Sequence, residues 1–165
     1  MNFYLFKNTF REAGLFHINQ ILSTFPNFNR TNLTRWIQLG YLLKIRQGWY
    51  AFPETLEIAD FSRYISSRIY QPSYISLHYA LSFYGIIPEA VTDITCISVL
   101  KTNKFTNIFG RYFYYNIKKD CFWGYKKMTD NNHRTFNIAV PEKAILDLLY
   151  IYPFYNTINE ILIKS

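Results

Sequence analysis

Residues 30–53 read RTNLTRWIQLGYLLKIRQGWYAFP, and the fold turns on how this stretch is parsed. At 100° per residue from Leu33, Trp36 and Ile37 fall within about 60° of it and make one apolar face. Thr31, Thr34, Arg35 and Gln38 fall on the other side. The spacing predicts a helix over 30–39, with Asn29 as N-cap and Gly40 just past its C-terminus. Beyond Gly40 the period changes from helical to extended. Residues 42–45 make a short strand, Arg46, Gln47 and Gly48 the turn, residues 49–52 the return strand, and Pro53 closes the unit.

Working toward the N-terminus, two more helices are expected. One covers 2–13, with Phe3, Phe6 and Phe10 on one face, and stops at Gly14. The second covers 15–24, with Leu15, Ile18, Leu22 and Phe25 in a stripe, and stops at Pro26. Three short helices and a basic-tipped hairpin describe a winged helix-turn-helix. In such a module the third helix enters the major groove and the hairpin rests on the backbone or in the minor groove. The outward face of helix 30–39 carries donors and a guanidinium but no acid, which suits phosphates and base edges. Arg30, Thr31, Thr34, Arg35 and Gln38 are therefore the candidate groove residues, and Lys44, Arg46 and Gln47 the candidate hairpin contacts. Arg35 is the first candidate for a base contact, since a guanidinium binds guanine bidentately. The alternative is the same fold used for protein contact.

Charge points the same way when counted along the chain. Residues 1–53 hold six bases against one acid, net +5, and residues 54–165 twelve against ten, net +2, within a 165-residue chain of net charge +7. A basic first domain (1–53) that meets a polyanion and a near-neutral second (54–165) is the expectation. Half the residues are apolar, which excludes disorder, and two cysteines are too few for a disulfide scaffold, so a reducing cytoplasm is the default compartment. Lys7, Arg11 and Glu12 interrupt the N-terminus before a signal-peptide core can form. The longest uncharged run, 69–88, contains Pro72, Pro88 and several polar residues and reads as a soluble, partly buried helix, not a membrane span. The fifteen Phe and fifteen Tyr accompany an excess of Asn, Ile and Lys, all with A/T-rich codons, so they are not base-stacking platforms without a second signal.

Residues 54–165 are expected to form an α+β domain with an antiparallel sheet. Helices are predicted over 57–70 and over 73–84, the latter with Ser73 as N-cap. Strands are predicted over 92–100, 111–118, 121–128 and 136–140. A final helix opens at Pro141 with Ala144, Ile145, Leu148 and Leu149 as its core stripe. No catalytic residue, metal site or cofactor site is expected. His17, His78 and His133 are scattered, Cys96 and Cys121 lack a CxxC partner, and there is no Gly-rich phosphate loop. Glu142, Lys143 and Asp147 have the residue types of a metal-dependent nuclease but not the spacing, and Glu142 reads as helix-start electrostatics. Lys118, Lys119, Lys126 and Lys127 flank Trp123 and Tyr125. They form either a solvated edge that discourages strand pairing, a second DNA contact or a contact for a protein partner.

The runs QPSYISLHYALSFYGIIPEAVTDITCIS, FYYNIKKDCFWGY and IAVPEKAILDLLY resemble the AbiEi-type antitoxins of abortive-infection (type IV) toxin–antitoxin systems, and LTRWIQLGYLLKIRQGWYAF resembles their winged-helix segment. The resemblance spans roughly residues 15–152. It implies a transcriptional repressor of a phage-defence locus, without enzyme activity, that autoregulates its own operon through the winged helix. The implied partners are double-stranded operator DNA with inverted repeats, bound as a dimer, and a nucleotidyltransferase-like toxin. The alternative it leaves open is a module that mainly binds the toxin, with little specific DNA binding. Proteins of that type continue with more helical sequence after the PEKAILDLL stretch, and antitoxin activity depends on that C-terminal part; here the chain ends at Ser165.

Overall fold

In a computed structural model of the chain, residues 1–156 are described. They form an α+β fold in two compact units, Met1–Phe61 and Ser62–Ser165. The segment after residue 156, on which part of the antitoxin expectation falls, lies outside the described residues.

The first unit runs α1 (Phe3–Phe10), β1 (Leu15–His17), α2 (Ile18–Thr24), α3 (Thr31–Gln38), β2 (Leu43–Arg46) and β3 (Trp49–Ala51), then a 3-10 turn over Pro53–Glu57. The strands form one antiparallel sheet in the order β1-β3-β2. The sequence reading put a helix over 15–24; its first three residues are instead a strand paired to β3, Leu15 opposite Ala51. Leu15 and Phe16 are both buried, so a helical stripe and a short buried strand look alike in sequence. The core is mostly aromatic. Phe6, Phe10, Phe16, Phe28, Trp36 and Phe52 pack with Ile21, Leu33 and Leu42, and the Phe6 ring lies 4.8 Å from that of Trp36.

The second unit contains α4 (Phe61–Ile69, its first residue closing the first unit), β4 (Ser73–Ile75), α5 (Leu77–Phe83), β5 (Ile94–Ser98), β6 (Asn103–Asn107), β7 (Gly110–Asn116), a 3-10 turn Lys119–Cys121, β8 (Tyr125–Thr129), β9 (Thr135–Ala139) and α6 (Pro141–Ile151). The six strands are ordered β6-β7-β5-β4-β9-β8. The sheet is mixed, not antiparallel as expected, because β4 runs parallel to β9 and β5 parallel to β7. Two strands were not foreseen. β4 is three fully buried residues, and a central strand covered on both faces shows no alternation to read. Ser73 therefore begins a strand and caps no helix; Ser76 is the N-cap of α5. The uncharged run 69–88 is thus strand and helix in succession. β6 has only Phe105 and Asn107 partly covered, and its pairing is imposed by β7, with Asn103 opposite Tyr114 and Phe105 opposite Tyr112. Residues 121–128 divide into the end of a turn and the start of β8, whose exposed lysines lie on a sheet edge.

Pro141 opens α6 and Glu142 sits in its first turn. The buried stripe of this helix differs from the apolar one expected. Ile145 is exposed, whereas Lys143 and Asp147 are almost fully buried. Lys143 Nζ meets Asp147 Oδ1 at 2.6 Å and also donates to the Cys121 carbonyl at 2.8 Å. The other carboxylate oxygen accepts from Tyr74 Oη at 3.0 Å and Ser76 Oγ at 2.7 Å. Burial, then the Asp147 charge, holds the Tyr74 phenol well above its ordinary pKa, so it stays a donor. Gly124 has φ +76°, and a Cβ there would stand 2.8 Å from Lys143 Cγ. The loop thus lies directly on the lysine stem, with the Trp123 ring centroid 4.7 Å from Nζ.

Removing one member of a buried pair strands the other in low dielectric. We expect Asp147→Asn to cost about 3–5 kcal/mol in urea unfolding at neutral pH. A double-mutant cycle with Lys143→Met should give a coupling above about 1 kcal/mol.

Candidate nucleic-acid interface

α3 is oriented by what it buries. Leu33 and Trp36 are the buried residues of this helix, Ile37 is half-buried, and the two form part of the aromatic core with Phe28. Arg30, not Asn29, occupies the N-cap position, and it makes no side-chain cap bond. Asn29 still serves the helix start: its Oδ1 accepts from the Thr31 backbone N–H at 3.0 Å and from Thr31 Oγ1 at 2.8 Å. The C-terminus closes with the Tyr41 N–H donating to the Trp36 carbonyl at 2.8 Å.

With that face buried, Arg30, Thr31, Thr34, Arg35 and Gln38 are all exposed. Arg35 Nη2 donates to Asn32 Oδ1 at 3.2 Å, which steadies the guanidinium along the helix surface. No Asp or Glu occurs between Glu12 and Glu54, so nothing acidic belongs to α3 or the hairpin. On the hairpin, Lys44 and Gln47 are exposed. Arg46 is half-buried and engaged in contacts within the protein, which leaves Lys44 the more accessible cation. Arg46 belongs to β2 and not to the turn, which is Gln47–Gly48 alone, and the register slips between Lys44 and Arg46.

The hairpin tip is fixed from below. The Gly48 carbonyl accepts from the Ile18 N–H at 2.8 Å. Gly48 has φ +82°, and a Cβ on it would lie 2.7 Å from His17 Nε2. His17 in turn caps α2: its Nδ1 accepts from the Asn19 N–H at 3.2 Å, while its own N–H donates to Gln20 Oε1 at 2.7 Å. The imidazole also lies 5.0 Å from the Trp49 ring. Sequence reading classed His17 as scattered. The signal that identifies it is Gln20, three residues on, the partner a capping box requires.

Net charge does not follow the compact units. The boundary at Phe61 brings Glu54, Glu57 and Asp60 into the first unit. That unit then holds six bases against four acids, net +2, and Ser62–Ser165 twelve against seven, net +5. One of these acids is spent locally, because Lys7 pairs with Glu54. What distinguishes the first unit is an acid-free face, not a charge total.

In the second unit Lys118, Lys119, Lys126 and Lys127 are exposed, the last two on edge strand β8. His78 is half-buried, with its ring 5.8 Å from that of Tyr152. Cys96 is buried, and burial raises its thiol pKa well above the ordinary value. Among the described residues no group of three or more His, Cys, Asp or Glu is placed to hold a metal. Among them too, no helix is long and apolar enough to cross a membrane. The chain matches no protein-family model, and no curated protein is significantly similar to it.

His17 gives a pH test of the hairpin support. Burial lowers its pKa from 6.5, so the folded state favours the neutral ring that the cap needs. Its contribution is present above pH 6.5 and is lost as the unfolded chain takes up a proton below it. His17→Asn keeps a cap acceptor that does not titrate. The melting temperature of the wild type should fall more steeply than that of this variant between about pH 7 and 5.

Proposed function

We propose that Met1–Phe61 is a winged helix that binds double-stranded DNA, and that the chain is a transcriptional repressor acting as the antitoxin of a phage-defence toxin–antitoxin pair. The observation that carries the DNA-binding part is α3. It buries Leu33 and Trp36 and turns Arg30, Thr31, Thr34, Arg35 and Gln38 outward, in a stretch without an acid between Glu12 and Glu54. The element order α-β-α-α-β-β with the sheet β1-β3-β2 supports the same assignment, because it sets a hairpin directly after α3. Antitoxin action and autoregulation of the operon rest on the AbiEi resemblance, and a cytoplasmic location rests on the two cysteines, too few for a disulfide scaffold.

α3 enters the major groove. Arg35 reads a guanine edge, with Thr31, Thr34 and Gln38 beside it, and Arg30 meets the backbone at the helix start. Lys44 and Gln47 touch phosphates from the hairpin, with Arg46 behind them. Two copies on an inverted repeat put half-sites about 10–10.5 bp apart, or a multiple of that.

A protein partner as the main ligand is the second reading, and one feature favours it. α6 leaves Ile145, Leu146 and Tyr150 exposed along its outer side. Such a surface fits a toxin better than it fits a polyanion.

Binding to the intergenic DNA upstream of the gene, against a scrambled duplex across a salt series, decides between them. A steep salt slope with cognate preference supports the repressor. No binding, with capture of the neighbouring gene product, supports the second reading. Arg35→Ala should cost about 1–3 kcal/mol on cognate DNA and much less on random DNA. Lys44→Ala should weaken both alike and lower the salt slope by about 1.

A further inference from the structure

A cleft of about 170 Å³ opens at the start of β4, lined by Gln71, Pro72, Ser73, Phe122, Tyr125 and Asn137. All six residues belong to the second unit, far in sequence from α3 and the hairpin. Three features make the cleft a candidate binding site.

First, it holds amide groups with one end committed and the other spare. The Ser73 hydroxyl is not among its polar groups: it is sealed from solvent and, next to Tyr74 on β4, points to the opposite face of the sheet. The neighbouring amides are fixed and present acceptors. Gln71 Nε2 is committed to the Ser67 carbonyl at 2.7 Å, which leaves Oε1 to accept. Asn137 Nδ2 lies 3.4 Å from the Ser73 carbonyl and its backbone N–H donates to Ser67 Oγ at 3.0 Å, which leaves Oδ1 to accept.

Second, one wall is a braced aromatic surface. Tyr125 stacks on the buried Tyr74 ring at 4.7 Å and 12°, and Phe122 leans on both, 5.2 Å from Tyr125 and 5.0 Å from Tyr74. Tyr125 is nonetheless 40 % exposed, so part of this surface is open to a planar group.

Third, no charged side chain lines the cleft, yet a cation stands at its rim. Lys127 is the cross-strand partner of Asn137 and projects from the same sheet face. Lys127 is exposed, and the unit around it carries a net charge of +5.

We propose that this cleft binds a nucleotide. The base lies against Phe122 and Tyr125, its exocyclic amine donates to Gln71 Oε1 and Asn137 Oδ1, and Lys127 meets the phosphate. The two side-chain acceptors favour a base with an exocyclic amino group, adenine, cytosine or guanine, over uracil or thymine. The same chemistry is offered by a free mononucleotide and by one residue of a single strand. The site is independent of DNA binding by α3.

The test is chemical-shift titration of the full-length, isotopically labelled chain with AMP and UMP, and in parallel with oligo-dA and oligo-dT. The expected result is a shift of the Ser73, Tyr125 and Asn137 resonances with AMP, with UMP binding about tenfold more weakly or worse. Tyr125→Ala, which removes the open ring of the wall, should weaken AMP binding about fivefold or more. Lys127→Gln should weaken it and flatten its salt dependence. If oligo-dA moves these resonances and AMP does not, the nucleotide is taken as part of a strand. The proposal is overturned if neither probe moves them, or if both variants, shown folded by circular dichroism, bind as tightly as the wild type. Because the resonances read are those of the cleft, loss of duplex binding through α3 leaves this test intact.

Discussion

The second unit is organised around one buried ion pair. A lysine and an aspartate one helical turn apart on α6 are both withdrawn from water. Beyond each other, both find hydrogen-bond partners on other elements. Asp147 is met by Tyr74 on β4 and by Ser76 just beyond it, and Lys143 by the Cys121 carbonyl. An isolated buried charge is too costly to keep, so the strand, the helix and the 3-10 turn are obliged to meet at one point. The constraint extends outward from there. Tyr74, fixed by the aspartate, is the ring on which Tyr125 stacks, and Cys121 is followed at once by Phe122, the other ring of the cleft. The cleft wall therefore packs on a ring that the aspartate holds in place.

The first unit solves its problem differently. It has no buried ion pair in its core cluster and relies on rings. Interlocked aromatic side chains give a small domain a large apolar payload and, because they have few rotamers, a defined geometry. Trp36 is the central piece. It touches Phe6 and Phe28, and by being buried it sets the rotation of α3 about its own axis. The rotation decides which residues face solvent. In this unit, core packing and surface presentation are a single choice. The hairpin is held by a second device, the Gly48 approach to His17, which couples its tip to the start of α2 through a position that admits no side chain.

Parts of this were legible in the sequence for sound physical reasons. The existence and approximate span of α3, the β2–β3 hairpin and α6 are legible because each has a regular period, a terminating glycine or an opening proline, though not the buried face of α6 or the place of Arg46 in β2. The outward residues of α3 followed from helical geometry alone. Where reading failed, the local pattern was silent or ambiguous. β1 and β4 are three-residue buried strands adjoining helices, and their apolar residues merge into the helical stripe. β6 is nearly all polar and becomes a strand only because β7 offers it a ladder. The charge asymmetry between residues 1–53 and the rest dissolved once the compact unit was seen to end at Phe61.

The sequence by itself determined the class of fold, the acid-free face of α3 and the basic hairpin beside it, because these depend on spacing within a few turns of chain. Only the tertiary structure decided that Lys143 and Asp147 turn inward, against the rule that charged residues seek water. The reason is that their partners Tyr74, Ser76 and Cys121 come from distant positions in the chain. It also decided that Gln71, Ser73, Phe122, Tyr125 and Asn137 share one cleft, since no periodicity relates the start of β4 to strands that follow some fifty or more residues later. Local chemistry fixes which side chains are available, and long-range strand pairing fixes which of them meet.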